Sequence, residues 1–184
     1  ITKYIELKTF GFASGGSGLG GSASFLLSLI SSLTNAFQIK VSNEEIIEKA
    51  CYLEINNLKK PIGKQDQYLC ARSGLNSFNF YSDNRVSENF LESTKKNTII
   101  RLIKDFYLIP TNKIRNSDMV LSKIKMDTSS VKKLKEIREI AYKFINFSDQ
   151  REYKIEEFFH ESVKESWKVK KTMSQVMIKS LEDQ

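Results

Sequence analysis

Apolar positions recur along the chain at two spacings, and the elements follow from them. From Ser22 to Phe37, the residues Leu26, Ile30, Leu33 and Phe37 keep helical spacing, and Phe25 and Leu29 widen the stripe. This predicts a helix buried on most sides. Ser42-Asn43-Glu44-Glu45 has the form of a capping box, with Ser42 as N-cap and Glu45 at the third helical position. The helix it starts is expected to run to about Leu58, with Ile47, Ala50, Cys51 and Leu58 on its apolar face. Glu54 falls on that same face. A carboxylate there must be paired, protonated or bound to a cation, because an unpaired buried charge is costly. Spacing alone leaves open a salt bridge to Lys or Arg, or a Glu that reaches solvent at the helix end.

Strand spacing appears elsewhere. Tyr4 and Glu6 alternate against Ile5 and Leu7, which predicts a strand over residues 3–9. Leu75 to Tyr81 also alternates, and a turn at Ser82-Asp83-Asn84 leads to a second strand ending near Phe90. Thr98 to Ile103 reads as a further β-rich run that Phe106 to Ile109 continues or pairs with, and Pro110 closes the block. Beyond it only helical periods remain: Ser117–Met126, Ser130–Phe147, Tyr153–Lys170 and Met173–Leu181. Within Ser130–Phe147 the stripe is Val131, Leu134, Ile137, Ala141, Phe144 and Ile145. The expected class is α+β, with a boundary near residues 90–96.

Between the first strand and the first helix lies Gly15-Gly16-Ser17-Gly18-Leu19-Gly20-Gly21-Ser22-Ala23-Ser24, which holds five of the chain's eight glycines. Strand, glycine loop and helix form a phosphate-binding order. Glycine lets the backbone approach a ligand, and the first N–H groups of the helix face the anion. Further on, Pro61-Ile62-Gly63 breaks the chain, and Lys64-Gln65-Asp66-Gln67-Tyr68 reads as the first turn of a short helix ending at Gly74. Asp66 at such a start has its charge stabilised by the helix dipole.

Composition narrows the partners. With 184 residues, 40% of them hydrophobic, the chain can bury a core. The net charge of +7 raises nucleic-acid binding as an alternative. However, the basic residues are scattered, and even Lys164–Lys171 is diluted by Glu165, Trp167 and Val169. A solvated surface with an anionic small-molecule site is therefore expected, with neither nucleic acid nor membrane as partner. No apolar run is long enough to span a bilayer, and Phe25–Ile30 lies behind a glycine loop, unlike a signal peptide. Cys51 and Cys70 match no metal spacing and are expected to be core thiols in a reducing cytoplasm. His160, the single histidine, is expected to be packed or solvent-facing. Ile1 at one end and Leu181-Glu182-Asp183-Gln184 at the other both look like cuts in a longer chain.

Three glycine-loop chemistries compete. A P-loop needs a lysine after its last glycine, and none lies between Lys8 and Lys40. Gly16-x-Gly18-x-x-Gly21 matches the dinucleotide fingerprint in form, but Glu44 and Glu45, the acids at the right distance, begin a capped helix where a strand end is required. The third pattern, Ser17-Gly18-Leu19-Gly20-Gly21-Ser22-Ala23, resembles the second motif of the GHMP kinases, with Gly21 where that family usually has serine and without its leading proline. Cys51-Tyr52-Leu53-Glu54, Gly63-Lys64-Gln65-Asp66-Gln67-Tyr68 and Ser73-Gly74-Leu75-Asn76 are similar to the heptose 7-phosphate kinase branch of that family. His160-Glu161-Ser162 and Trp167-Lys168-Val169-Lys170-Lys171 resemble its late helix.

The resemblance implies a two-domain fold truncated at both ends. Residues 1–92 would be part of an N-terminal ATP-binding domain like domain 2 of ribosomal protein S5, and residues 93–184 the mostly helical start of the C-terminal domain. It implies a sugar kinase using ATP and Mg²⁺ on a small sugar phosphate, with room for a homodimer. Gly16, Ser17, Gly18, Leu19, Gly20, Gly21, Ser22 and Ala23 would bind ATP. Ser22 and Glu54 would hold Mg²⁺, Asp66 would deprotonate the acceptor hydroxyl, and Lys64 would neutralise phosphate charge. The family's first and third motifs have no counterpart within residues 1–184, so this stretch by itself is expected to be an inactive piece of an active enzyme. Sugar kinases of other specificity, galactose or fucose, and a non-catalytic nucleotide- or nucleic-acid-binding module are the alternatives.

Overall fold

The computed structural model describes residues 5–11, 18–109 and 128–173. Its helices are α1 (Gly21–Ala36), α2 (Asn43–Tyr52), α3 (Gln65–Cys70), α4 (Ser93–Lys104), α5 (Thr128–Ile145) and α6 (Glu152–Lys171). A two-stranded antiparallel sheet, β1 (Ser77–Phe80) and β2 (Val86–Asn89), stands between α3 and α4 in the chain. The class is α+β. No described helix is long and apolar enough to cross a membrane.

The capping box at Ser42 is formed. The Glu45 N–H donates to Ser42 Oγ, and the Ser42 N–H donates to Glu45 Oε2. The buried face of α2 is Ile47, Ala50 and Cys51, which with Leu27 of α1 makes a core cluster. Leu26, Ile30, Ile46, Ile55, Tyr68 and Ala71 pack around it. Leu58, expected on this face, is 63% exposed. The cause lies in the last turn: the helix widens into a π-helical segment, Leu53–Asn57, which the Leu58 N–H closes on Leu53 O. The wider turn rotates Leu58 off the stripe.

The sheet pairs Ser77 with Asn89, Phe78 with Glu88, Asn79 with Ser87 and Phe80 with Val86. The turn comes at Ser82–Asn84, where Asn84 takes a left-handed φ of 66° that Asn tolerates. Tyr68 of α3 sets its ring edge-on against Phe78 and Phe80, with centroids 5.6 and 5.7 Å away. Tyr142 donates to Asn79 Oδ1 and ties α5 to the same hairpin.

Helices α4 and α5 both pack along α6. Phe158 stacks on Phe144 and Phe147, with centroids 6.3 and 4.5 Å away. Ile99 and Ile155 are fully buried. The Lys95 ammonium, almost fully buried, donates to the Ile145 carbonyl at the end of α5. Cations suit that negative helix end.

Several expectations are corrected. The β-rich run at Thr98–Ile103 is helical. Lys95, Thr98 and Ile99 are its buried positions, a three-and-four spacing that packing against α6 favours over β propensity. Phe106–Ile109 forms no strand. In the strand expected over residues 3–9, the described residues 5–9 are not in a strand, and Ile5 and Leu7 are half exposed. A strand needs a neighbour for its backbone groups, and none of the described strands lies beside it. On α1 the buried positions are Ala23 and Leu27, while Phe25 and Phe37 are about half exposed, because α2 and α3 cover one side of the helix. On α5 the stripe is rotated toward Ile140, with Val131 and Leu134 exposed. Of the two cysteines only Cys51 is a core thiol; Cys70 is exposed. His160 faces solvent, beside Phe159, which is one of the two placements expected for it. The helix expected over Ser117–Met126 and most of that over Met173–Leu181 lie outside the described residues.

Candidate functional site

The glycine loop delivers the chain into α1 through two left-handed residues, Gly18 at φ 74° and Gly20 at φ 70°. Gly20 is the N-cap and offers no side chain to the first turn, which also holds no acidic residue. The positive end of α1 is thus left without a capping or acidic side chain of its own. Behind the cap stands Cys70, the last residue of α3. Its Sγ lies 3.7 Å from the Gly20 carbonyl oxygen and 2.8 Å from where a Cβ on Gly20 would sit. Gly16 and Ser17 lie outside the described residues. Leu19, Gly21 and Ser22 are exposed, and Ala23 is buried.

Ser22 opens onto Glu54. The Ser22 hydroxyl donates to Glu54 Oε1 at 2.5 Å, across 32 residues of sequence. Glu54 is 2% exposed, so its charge has to be met by the protein. Three donors meet it. The Lys60 ammonium is 2.8 Å from Glu54 Oε1 and 2.8 Å from Ser22 Oγ. Gln67, fully buried, donates its amide to Glu54 Oε2. Burial by itself raises the pKa of a carboxylic acid; Lys60, Ser22 and Gln67 outweigh it and hold Glu54 below the ordinary value. The pairing left open by spacing is therefore a salt bridge to Lys60.

The π turn makes this pairing local. Lys59 takes a left-handed φ of 53°, and the Lys60 N–H donates to the Glu54 carbonyl at 3.0 Å. The chain folds back over its own helix end and lays Lys60 beside the carboxylate six residues earlier.

Lys64 precedes α3, and its ammonium is paired with Glu48 on α2 at 2.8 and 3.1 Å. Tyr68 donates to Glu48 Oε1. Burial opposes the charge on Glu48, but Lys64 and Tyr68 hold its pKa below the ordinary carboxylate value. The same burial and the Glu48 charge push the Tyr68 phenol up. Asp66 is exposed on the first turn of α3 and makes no ion pair among the described residues. The structure thus brings Ser22 and Glu54 together and directs Lys64 toward Glu48, while Asp66 stays open to solvent.

Sequence reasoning missed Lys60, Gln67 and Glu48. The buried position of Glu54 was the signal for a cation, and Lys59 and Lys60 are near it in the chain; the π turn that aims Lys60 has no sequence mark we could use.

The donor set suits a hard divalent cation. Ser22 Oγ and Glu54 Oε1 are oxygens that converge on one point, and a positive charge already lies within 2.8 Å of both. Among the described residues, no group of three His, Cys, Asp or Glu side chains is arranged around a metal. A cation here would complete its shell with phosphate oxygens and water, as Mg²⁺ does with nucleotides. A groove of about 530 Å³ between α5 and α6, whose lining mixes lysines such as Lys132 and Lys168 with Glu136, Glu139 and Glu165, contains none of the candidate residues.

Comparison with known proteins points to the same segment. Residues 5–74 match the family model of the GHMP kinases N terminal domain. The chain is 32% identical over 85 residues to the D-glycero-alpha-D-manno-heptose 7-phosphate kinase of Campylobacter jejuni. That alignment covers 46% of this chain and 25% of the relative, so the chain spans about a quarter of the relative's length. No solved structure matches. The segment that carries the glycine loop, Glu54 and Asp66 is thus similar to the GHMP kinases N terminal domain, and the resemblance seen in the motifs is to that family.

Proposed function

We propose that the chain is part of an ATP-dependent sugar kinase acting on D-glycero-D-manno-heptose 7-phosphate, in the synthesis of nucleotide-activated heptose for cell-surface polysaccharide. The anomeric hydroxyl oxygen attacks the γ-phosphorus of ATP, its proton passes to a base, and ADP leaves; the product is the 1,7-bisphosphate. The reading assigns the backbone of Gly16–Ala23 to the ATP phosphates, with the open positive end of α1 beneath them. Asp66 takes the hydroxyl proton; its exposure on the first turn of α3 suits a base that must meet a substrate. Lys64 offsets phosphate charge after exchanging its Glu48 partner. Ser22 and Glu54 would hold Mg²⁺, which when bound would neutralise charge on the phosphates. Use of ATP makes the cytoplasm the place of work.

The single observation that carries the reading is the convergence of Ser22 Oγ and Glu54 Oε1 at the uncapped start of α1. The match to a heptose 7-phosphate kinase supports the choice of acceptor. The test is coupled ADP release by the full-length protein with heptose 7-phosphate, galactose and fucose as acceptors. Turnover with the heptose, and a loss of at least about 100-fold in Asp66→Ala, is expected. Turnover with galactose or fucose alone would move the assignment to another sugar kinase. No sugar-dependent turnover, or an Asp66→Ala enzyme as fast as wild type, would remove the reading.

A further inference from the structure

The ammonium of Lys60 sits where the chemistry of Ser22 and Glu54 calls for a metal ion. We propose that Lys60 is a resident counter-cation, which holds the point between Ser22 Oγ and Glu54 Oε1 and must leave it for a divalent cation to enter. The inference rests on the assignment of Ser22 and Glu54 as cation ligands.

Three observations carry it. First, Nζ lies at the same distance, 2.8 Å, from both oxygens, so it contacts both proposed ligands at once. Second, burial of the two partners is unequal: the Glu54 side chain is 2% exposed and that of Lys60 26%. The carboxylate cannot stay there uncompensated, whereas the lysine can swing its charge into water. Third, the backbone of Lys60 is fixed by its N–H bond to the Glu54 carbonyl, so the exchange needs only side-chain rotation.

With Lys60 in place, Glu54 is neutralised and the fold needs no metal. With a divalent cation in place, the site carries one more positive charge, which phosphates compensate. Entry of the cation is therefore linked to arrival of the nucleotide, and the protein alone binds metal weakly.

The test compares full-length wild type with Lys60→Met, which keeps the stem and removes the charge. Binding of Mn²⁺ without nucleotide is read by electron paramagnetic resonance, and melting is followed in chelator and in Mn²⁺. Lys60→Met is expected to bind Mn²⁺ about tenfold tighter than wild type. Its melting temperature should rise with Mn²⁺ more than that of wild type. Equal or weaker Mn²⁺ binding by Lys60→Met, with binding lost in Glu54→Gln, would overturn the role of Lys60 and leave the cation site standing. No Mn²⁺ binding by either protein would overturn both, whatever the ADP-release assay shows for catalysis. Should Lys60→Met not fold, amine methylation of wild type decides. Labelling of Lys60, read by mass spectrometry, should increase when Mn²⁺ is bound, and unchanged labelling overturns the proposal.

Discussion

The thiol of Cys70 and the α-carbon of Gly20 leave no room for a methyl group between them: a Cβ on Gly20 would meet Sγ at 2.8 Å. Gly20 also holds φ 70°, which a side chain resists. Gly20→Ala should therefore cost about 2–4 kcal/mol, the sum of backbone strain and overpacking. Gly20→Ala/Cys70→Ala should recover the steric share and keep the backbone share. Gly21→Ala, whose Cβ meets nothing within 4 Å, is the control that should stay near wild type. Urea melts of the three variants test the division.

Glu54→Ala should lower stability by about 1–3 kcal/mol. It leaves the Gln67 amide, fully buried, without its acceptor, and strands the half-buried Lys60 charge. Glu54→Gln keeps the volume and should cost less. Equal melting of Glu54→Ala and wild type would show that Lys60 and Gln67 find other partners.

Acid should act through the same groups. The folded-state pKa values of Glu54 and Glu48 are held below the ordinary carboxylate value by their lysine, hydroxyl and amide partners. Their contribution to stability is present above the unfolded glutamate value, about 4.3, and is lost as pH falls through the lower folded values. Chemical denaturation between pH 7 and pH 3 should show this fall, and Glu54→Gln should flatten it. A Glu54→Gln protein with the same acid slope as wild type would contradict the assignment.

Tyr68 joins two structures by two kinds of contact. Tyr68→Phe removes the hydroxyl from Glu48 and keeps the ring on Phe78 and Phe80, at a cost of about 1 kcal/mol. Tyr68→Leu also forfeits the edge-on ring contacts, worth about 0.5–1.5 kcal/mol more. Thermal melts rank the two; a Leu variant as stable as the Phe variant would show that the ring contacts contribute nothing and that the hydroxyl carries the loss.

Local signals were legible where they needed no neighbour. The capping box at Ser42 and Glu45 lies in four consecutive residues, and it formed as read. The turn at Ser82–Asn84 and the burial of Glu54 likewise followed from short-range pattern. Helix stripes were read with the right type and the wrong rotation, as Leu58, Phe25 and Val131 show, because the exposed side of a helix is decided by which elements cover it. Thr98–Ile103 failed for the same reason: β-branched residues prefer strands until a partner such as α6 makes a helical face more useful. At the site, the motif resemblance points to Ser22, and the apolar face and the resemblance both point to Glu54, but their direct contact spans 32 residues and is a property of the fold. Lys60 depends on a widened turn, and no residue type announces one.

The π turn Leu53–Asn57 makes this region sensitive to length more than to composition. Each residue of an α-helix advances the chain by about 100° around its axis, so removing one residue from the turn would re-phase everything after it. Glu54 would keep its place in the core, while Lys60 would emerge on another side. Asn56 and Asn57 are exposed and free to vary in kind. Their number is another matter: it sets whether the carboxylate meets its lysine.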